Sequence, residues 1–235
     1  MEVSPIETMQ RWLAGEPVWS YAKIIETWPQ FEHYMARFHR RFEAAIADGK
    51  VDFKSDAKAY LDEIQNLWRL RDEWVRRFGF AIPCQELLNE LAVHGHIVEV
   101  GAGTGYMTRL MRHRGITVVG SDFEWRGPNG YSFTTGEHDD EQVNGVEAKT
   151  MVRRHPDSTV FCSWPSLRLT WFRQALKAMK IGQRLVVIRE GACAEETAWQ
   201  YLDDCFEQTA TIDIPVFEHM HDYASVHVKK RNRSR

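Results

Sequence analysis

The apolar positions of this chain change their rhythm near residue 83. Before that point they recur at helical spacing. In FEHYMARFHRRFEAAI, residues Phe31, Tyr34, Met35, Phe38, Phe42, Ala45 and Ile46 fall on one stripe, which predicts an amphipathic helix stopped by Asp48-Gly49. A second stretch, Ser55 to Phe78, repeats the pattern through Ala59, Tyr60, Ile64, Leu67, Trp68, Val75 and Phe78, with Ser55 as its N-cap. Both stripes need a partner surface, so residues 1–80 are expected to form a helical N-terminal extension packed on the rest of the chain. Their direct run through Phe80-Ala81-Ile82-Pro83 predicts that they cap the rim of a site there.

From Pro83 onward, short apolar runs alternate with amphipathic segments. The reading is helix Gln85 to Ala92, strand His96 to Val100, helix Tyr106 to Arg114 and strand Thr117 to Ser121, with an irregular polar stretch from Gly127 to Asn144. Helix Glu147 to Arg154, strand Thr159 to Ser163, helix Leu169 to Met179 and strand Arg184 to Arg189 follow. Helix Glu195 to Gln208 and two strands, near Thr211 to Ile214 and Ser225 to Lys229, close the chain. The largely apolar strand cores IVEV, TVVG, TVFC and LVVI predict a mainly parallel sheet covered on both faces. Ligands of such sheets sit beyond the carboxyl ends of the strands. The places to search are therefore Val100 to Gly105, Ser121 to Trp125, Asn144 to Glu147, Ser163 to Ser166 and Glu190 to Thr197.

Composition narrows the class. With 43% hydrophobic and 27% charged residues over 235 positions, the chain has enough apolar material for one elaborated domain. The net charge of −3 excludes a global positive field. Five cations crowd the end of the chain (Lys229, Lys230, Arg231, Arg233 and Arg235), so the remainder is distinctly acidic and residues 231–235 read as a basic, solubilising tail. Cys84, Cys162, Cys193 and Cys205 form no CxxC pair and read as reduced thiols. No stretch approaches the apolar length of a membrane span and the first residues lack a signal-peptide pattern, so a cytoplasmic protein without a membrane partner is expected. His219-x-His221 lacks the further ligands of a metal site, and none is expected.

The strongest chemical signal is Glu99-Val100-Gly101-Ala102-Gly103-Thr104-Gly105-Tyr106. Glycines on alternate positions after a strand permit a tight turn and a close approach of backbone to ligand. A dinucleotide fingerprint would place a small residue where Tyr106 stands. Glu99, two residues before the first glycine, would repel a pyrophosphate and suits a ligand bearing an ammonium and a sulfonium, such as S-adenosylmethionine. Asp122 closes the second strand at the distance from which an acid accepts hydrogen bonds from ribose hydroxyls, and Phe123 beside it is placed for an adenine face.

EVGAGTGY followed by VVGSD resembles the first two motifs of the class I S-adenosylmethionine-dependent methyltransferases. The match spans roughly Pro83 to Lys230 in element order. More narrowly, AIPCQELL, IVEVGAGTGYMTRLM, RHPDSTVFCSWPS and IREGACAEETA resemble a methyltransferase-like group with EVGAGTGY and C-x-WP segments. This chain has Ser166 where that group tends to carry a second Pro, and Arg189-Glu190-Gly191-Ala192-Cys193-Ala194 in place of a glycine-richer turn. The resemblance implies a Rossmann-like, seven-stranded α/β sheet over residues 81–230. It also implies a cofactor site of Glu99, Gly101, Ala102, Gly103, Gly105, Tyr106, Asp122 and Phe123.

The substrate side follows the fourth strand in Phe161-Cys162-Ser163-Trp164-Pro165-Ser166. Amine-directed methyltransferases place a polar residue, prolines and an aromatic here. Ser163 takes the polar role, Trp164 walls the pocket or stacks on a flat substrate, and Glu190 on the same rim orients a substrate cation or acts as general base. His155 lies at the far end of the sheet and reads as structural. The function expected is methyl transfer to an unidentified nitrogen or oxygen nucleophile. The alternatives are a catalytically inactive S-adenosylmethionine-binding protein acting through a partner interface, and a nucleic-acid methyltransferase, which Trp164 and the basic tail favour and the acidic body opposes.

Overall fold

Strand β1 (Ile97–Val100) is buried along its whole length between β2 (Val118–Ser121) and β4 (Thr159–Ser163), with both of which it runs parallel. That is where an IVEV segment has to go, because its apolar side chains point to both faces. The computed structural model, which describes residues 4–28, 31, 44, 65, 69–123, 143–167, 169–190, 193–217 and 220–232, builds outward from this strand. Beyond β2 lies the short β3 (Val143–Asn144), and beyond β4 lies β5 (Arg184–Arg189). The antiparallel β7 (Tyr223–Lys229) pairs with β5, and β6 (Phe206–Ile212) forms the other edge. The sheet order is β3-β2-β1-β4-β5-β7-β6. This is the Rossmann-like, seven-stranded, mainly parallel architecture that the resemblance implies.

Alternation along the strands sorts the core into two layers. On one face Ile97, Phe161, Val186, Ile188 and Val226 meet α1 (Pro5–Leu13), α2 (Tyr21–Thr27), the helical residues 69–78, α3 (Gln85–Ala92) and α4 (Tyr106–His113). On the other, Val98, Val100, Val160, Cys162, Leu185 and Val187 meet α5 (Ala148–Arg154), α6 (Trp171–Ala178) and α7 (Glu196–Cys205). The N-terminal segment is therefore part of one helical layer. Trp12, Trp28, Phe31, Trp74 and Phe217 form a continuous aromatic cluster with ring centroids 4.8–5.8 Å apart. The Gln85 amide donates to the Trp19 carbonyl (2.9 Å) and the Tyr21 amide to the Glu86 carboxylate (2.8 Å), stitching α2 to α3. Most of the two stripes read between residues 31 and 68, and the polar stretch up to residue 142, lie outside the described residues. Among the described residues, no helix is long and apolar enough to cross a membrane.

Three readings need correction. The helix expected to run from Glu195 to Gln208 ends at Cys205, and β6 begins at Phe206 without a loop. The strand expected near Thr211 to Ile214 thus starts earlier and ends at Ile212, because the mostly exposed FEQ residues carry no apolar pattern to separate them from the helix before. Asn144 belongs to β3, whose two residues are too short to carry a pattern. Lys229, counted with the basic tail, is instead wholly buried in β7. Its ammonium donates to the carbonyls of Leu176 (3.0 Å), Lys177 (3.2 Å) and Met179 (2.8 Å). It thus satisfies the orphan acceptors at the C-terminal end of α6 and meets the negative end of its dipole. Lys230 pairs with Glu207 (2.5 Å) and the Arg231 guanidinium donates to the Asp204 carbonyl (2.8 Å), so the first residues after β7 are tied down, and Arg233 to Arg235 lie outside the described residues.

Lys229→Met keeps the aliphatic volume and strands those three carbonyls. It should lower unfolding stability by about 2–3 kcal/mol in a urea titration, whereas Lys230→Met, which breaks an exposed pair, should stay within about 0.5 kcal/mol of the parent.

Candidate functional site

A cavity of about 800 Å³ opens at the carboxyl ends of β1, β2 and β4. Glu99, Gly101, Ala102, Gly103, Asp122 and Phe123 line one side, and Ser163 and Trp164 line the other. Eight of the expected site residues thus share one cavity. The loop between β1 and α4 is shaped by left-handed backbone at Gly101 (φ +69°), Gly103 (φ +52°) and Gly105 (φ +72°). The Gly101 and Ala102 amides donate to the Ser121 carbonyl (2.8 and 3.1 Å), which anchors the turn on the neighbouring strand. A side chain at Gly101 would strike the Trp171 ring at 2.8 Å, so this glycine is required by space as well as by φ.

Asp122 reaches back to that loop. Its carboxylate accepts the Gly103 amide N–H (2.9 Å), while its own amide donates to the Asn144 carbonyl (3.0 Å). The Asn144 side-chain amide in turn donates to the Gly120 carbonyl (3.0 Å), so two-residue β3 serves to hold the end of β2. Glu99 lies on the cavity floor, 2% exposed. Burial pushes its carboxyl up to about 8, and the negative charge of Asp122 adds to this. The Thr108 hydroxyl, which donates to Glu99, and the Arg112 guanidinium pull the other way.

Two cofactor-side residues leave the expected set. Tyr106 is fully buried and turned away from the cavity, its hydroxyl donating to the Met9 carbonyl (3.2 Å) and its ring edge-on to Phe78 (5.0 Å). The bulky residue that argues against a dinucleotide fingerprint is thus a core residue joining α4 to α1. Gly105 does not line the cavity and serves as the N-cap of α4, packed against Val143.

On the opposite wall, Trp164 stacks on Phe80 with centroids 5.1 Å apart and planes 14° from parallel, and the Arg71 guanidinium lies 5.7–5.8 Å from both rings. Phe78, Gly79, Phe80 and Ala81, from the end of the N-terminal segment, complete this wall. Trp164 (φ +54°) and Ala194 (φ +57°) are the non-glycine residues with left-handed backbone among those described. Both stand at the carboxyl ends of adjacent strands, joined by the Ala194 amide donating to the Pro165 carbonyl (2.8 Å). Such conformations persist only where surrounding contacts impose them, and they concentrate at functional sites.

Glu190 is displaced from its expected role. It does not line the cavity: its amide and carbonyl hydrogen-bond the Cys193 thiol (3.2 and 3.0 Å), and its carboxylate lies 3.7 Å from His221. The thiol, which does line the cavity, is pushed up to about 12 by burial. Behind these residues sits Asp222, 4% exposed and overlooked in the sequence because an isolated HD in an irregular segment carries no pattern. Burial lifts its carboxyl to about 7, the Trp164 indole that it faces draws it down, Glu190 raises it and Arg71 lowers it. Neither the Trp164 Nε1 nor the Asp222 Oδ1 has a partner in good hydrogen-bond geometry. Trp171 and Phe80 were also overlooked, since one aromatic among twelve Phe and nine Trp gives no local signal. His155 caps the C-terminal end of α5 at the far end of the sheet, as read, and His219 lies outside the described residues. Among the described residues no three His, Cys, Asp or Glu side chains converge on a metal-sized site.

No family model and no curated protein matches the chain. Among solved structures it is similar to a SAM dependent methyltransferase from Archaeoglobus fulgidus, with 14% identity, a TM-score of 0.39, and 68% of this chain and 94% of that chain covered. It is also similar to magnesium protoporphyrin IX methyltransferase from Synechocystis with bound SAM (13%, TM-score 0.41, 61% and 76% covered). A third is an rRNA methylase from Streptococcus thermophilus (14%, TM-score 0.39, 64% and 100% covered).

Glu99 and Asp222 hold protons in the folded protein that the unfolded chain has already lost. Stability should therefore fall as pH rises from 6.5 toward 8, by about 1.4 kcal/mol per pH unit for each proton retained. His227, which burial lowers to about 4 from 6.5, acts below this window. Thermal unfolding across it should show the decline in the parent and a flatter profile in Glu99→Gln and Asp222→Asn.

Proposed function

We propose that this protein is an S-adenosylmethionine-dependent methyltransferase acting on a nitrogen or oxygen nucleophile. The observation that carries the reading is the placement of Glu99, the left-handed glycine loop and Asp122 along one side of a single cavity whose other side holds Ser163 and Trp164. A buried carboxyl that Arg112 and Thr108 leave protonated near neutrality fits a ligand that brings a cation. The glycine loop leaves the backbone bare, and an acid at the end of β2 fits a ribose. The sequence motifs agree with each of these assignments.

S-adenosylmethionine supplies a methyl group on a sulfonium; the carbon–sulfur bond breaks, its electron pair staying on sulfur, as the acceptor bonds to carbon. What remains for the chain is to hold the reactants in line and keep water out. In this reading Glu99 meets the ammonium of the cofactor, Gly101 to Gly103 pass along its methionine and ribose, and Asp122 holds ribose hydroxyls while keeping Gly103 in place. Phe123 lies at the mouth, toward the adenine. Ser163 accepts a hydrogen bond from the acceptor, Trp164 walls it, and the acceptor's proton leaves to solvent. Glu190 acts only through the field behind Cys193. The N-terminal extension, through Phe78 to Ala81, helps to shape the pocket.

Calorimetry should detect binding of S-adenosylhomocysteine, and tighter binding of NADH would overturn the assignment. Gly103→Val should weaken the adenosyl ligand sharply, because a β-branched residue is strained at φ +52°. Asp122→Ala should cost about 2–3 kcal/mol of affinity and also lower the melting temperature, while Asp122→Asn, which still accepts from Gly103, should lose affinity with less loss of stability. An unchanged dissociation constant in a folded Asp122→Ala variant would place the ribose elsewhere.

Because a cation favours the ionised form of Glu99, binding of the ammonium-bearing ligand should release protons at pH 7. Calorimetry in two buffers of different ionisation enthalpy reads that release directly, and Glu99→Gln should abolish it.

A further inference from the structure

Several features of the acceptor side point the same way. Trp164 and Phe80 form a nearly parallel pair in the cavity wall. The backbone of Trp164 is held in a left-handed conformation that places a large ring where a glycine would fit without strain. Leu167 (54% exposed) and Leu169 (41%), which follow Trp164 in the chain, line the cavity and are two of five large hydrophobic side chains that stand exposed among the described residues. Such side chains in a cluster at a pocket mark a binding surface.

Charge and size constrain the occupant further. The described charged residues lining the cavity are Glu99, Asp122, Glu147 and Lys149, and Lys149 is paired with Glu147 at 3.0 Å. Arg71 lies 5.7–5.8 Å from the two rings of the wall, and these two cations among three acids make no basic track for the phosphates of a nucleic acid, whose neutralisation dominates affinity in such complexes. A volume of about 800 Å³ lies within the range of small-molecule sites, and the cofactor must share it.

We infer that the methyl acceptor is a small, flat aromatic molecule that stacks in the Trp164–Phe80 wall and enters over Leu167 and Leu169. This rests on the methyltransferase reading, which supplies the cofactor that fills the other side. Planarity is selected because only a flat face meets an indole over its whole area, with stacking adding to the apolar area removed from water. A puckered molecule of equal size loses the former and keeps the latter.

The test uses the full chain saturated with S-adenosylhomocysteine, titrated with 2-naphthol and with its saturated counterpart decahydro-2-naphthol. Both carry one hydroxyl and no charge at pH 7, and they differ in flatness. A ten-nucleotide single-stranded oligodeoxyadenylate is the third arm. The flat alcohol should bind at least fivefold more tightly than the puckered one. Trp164→Leu should reduce that ratio to under twofold while leaving the affinity for S-adenosylhomocysteine unchanged, and Trp164→Phe should restore most of it. Leu169→Ser, an exposed substitution that cannot unfold the core, should weaken 2-naphthol severalfold, so the inference stays exposed to failure even if the Trp164 variants do not fold. Equal binding of the two alcohols, indifference to Leu169→Ser, or tighter and salt-dependent binding of the oligonucleotide would each overturn it. Failure of S-adenosylhomocysteine to bind strikes instead at the cofactor reading, and the alcohol comparison on the ligand-free protein then decides the inference separately.

Discussion

A carboxyl in the central strand sets the terms for everything around it. β1 is covered on both faces, and at Glu99 the chain buries an acid where every neighbour along the strand is apolar. An ionised carboxylate is too costly there without compensation. The fold provides a hydroxyl from Thr108, in the first turn of α4, and the longer-range field of Arg112, but these leave the proton bound near neutrality. The remaining compensation has to come from the cavity above it. The loop that follows is built to keep that cavity open: left-handed glycines bend it away from the strand end, and Asp122 pins its midpoint through the Gly103 amide. Remove the pin and the floor, the turn and the neighbouring strand end lose their common geometry.

The support for Asp122 comes from an element with almost no core of its own. β3 is two residues long, yet through Asn144 it fixes both the Asp122 amide and the Gly120 carbonyl. Val143 packs against Gly105 closely enough to exclude any side chain there. A minimal edge strand therefore acts on the loop from the outside, as Ser121 acts from beneath. Rigid placement by strand ends, with ligand-facing groups on short loops, is how such sheets make sites.

How much of this could be read beforehand follows from how local each cause is. The strand cores of β1, β2, β4 and β5 and the helices between them declare themselves, because a doubly covered parallel strand must be apolar throughout and an amphipathic helix must keep its stripe. The glycine spacing and the acid after β2 are equally local, and the residues they singled out share one cavity, apart from Gly105 and Tyr106. What escaped detection depends on contacts distant in sequence. Tyr106 follows the glycine loop, yet α1, nearly a hundred residues earlier, takes its hydroxyl. Lys229 looks like the start of a basic tail until the open end of α6 is brought beside it. Asp222 and Phe80 acquire meaning only next to Trp164. The end of β6 falls within the strand read near Thr211 to Ile214, but its first residues, Phe206 to Gln208, continue directly from α7 and read as helix.

The two sides of the cavity are made by different means, and the difference bears on what each can recognise. The glycine side obtains its bent backbone from residues for which left-handed φ carries little strain, so its shape is cheap and depends on a short, readable motif. The aromatic side obtains comparable bends at Trp164 and Ala194, where an L side chain resists them. Those residues are kept in place by the Ile188 carbonyl accepting from the Trp164 amide, by Pro165 accepting from Ala194, and by the Phe80 ring against the indole. Three separate parts of the chain, the ends of β4 and β5 and the segment leading into α3, must therefore agree before the indole can stand where it does. A wall assembled in that way depends on contacts distant in sequence, whereas the glycine side follows from a short local motif. That asymmetry is why the glycine side was legible in the sequence motifs, while the aromatic side emerges only from the surface that the folded chain brings together.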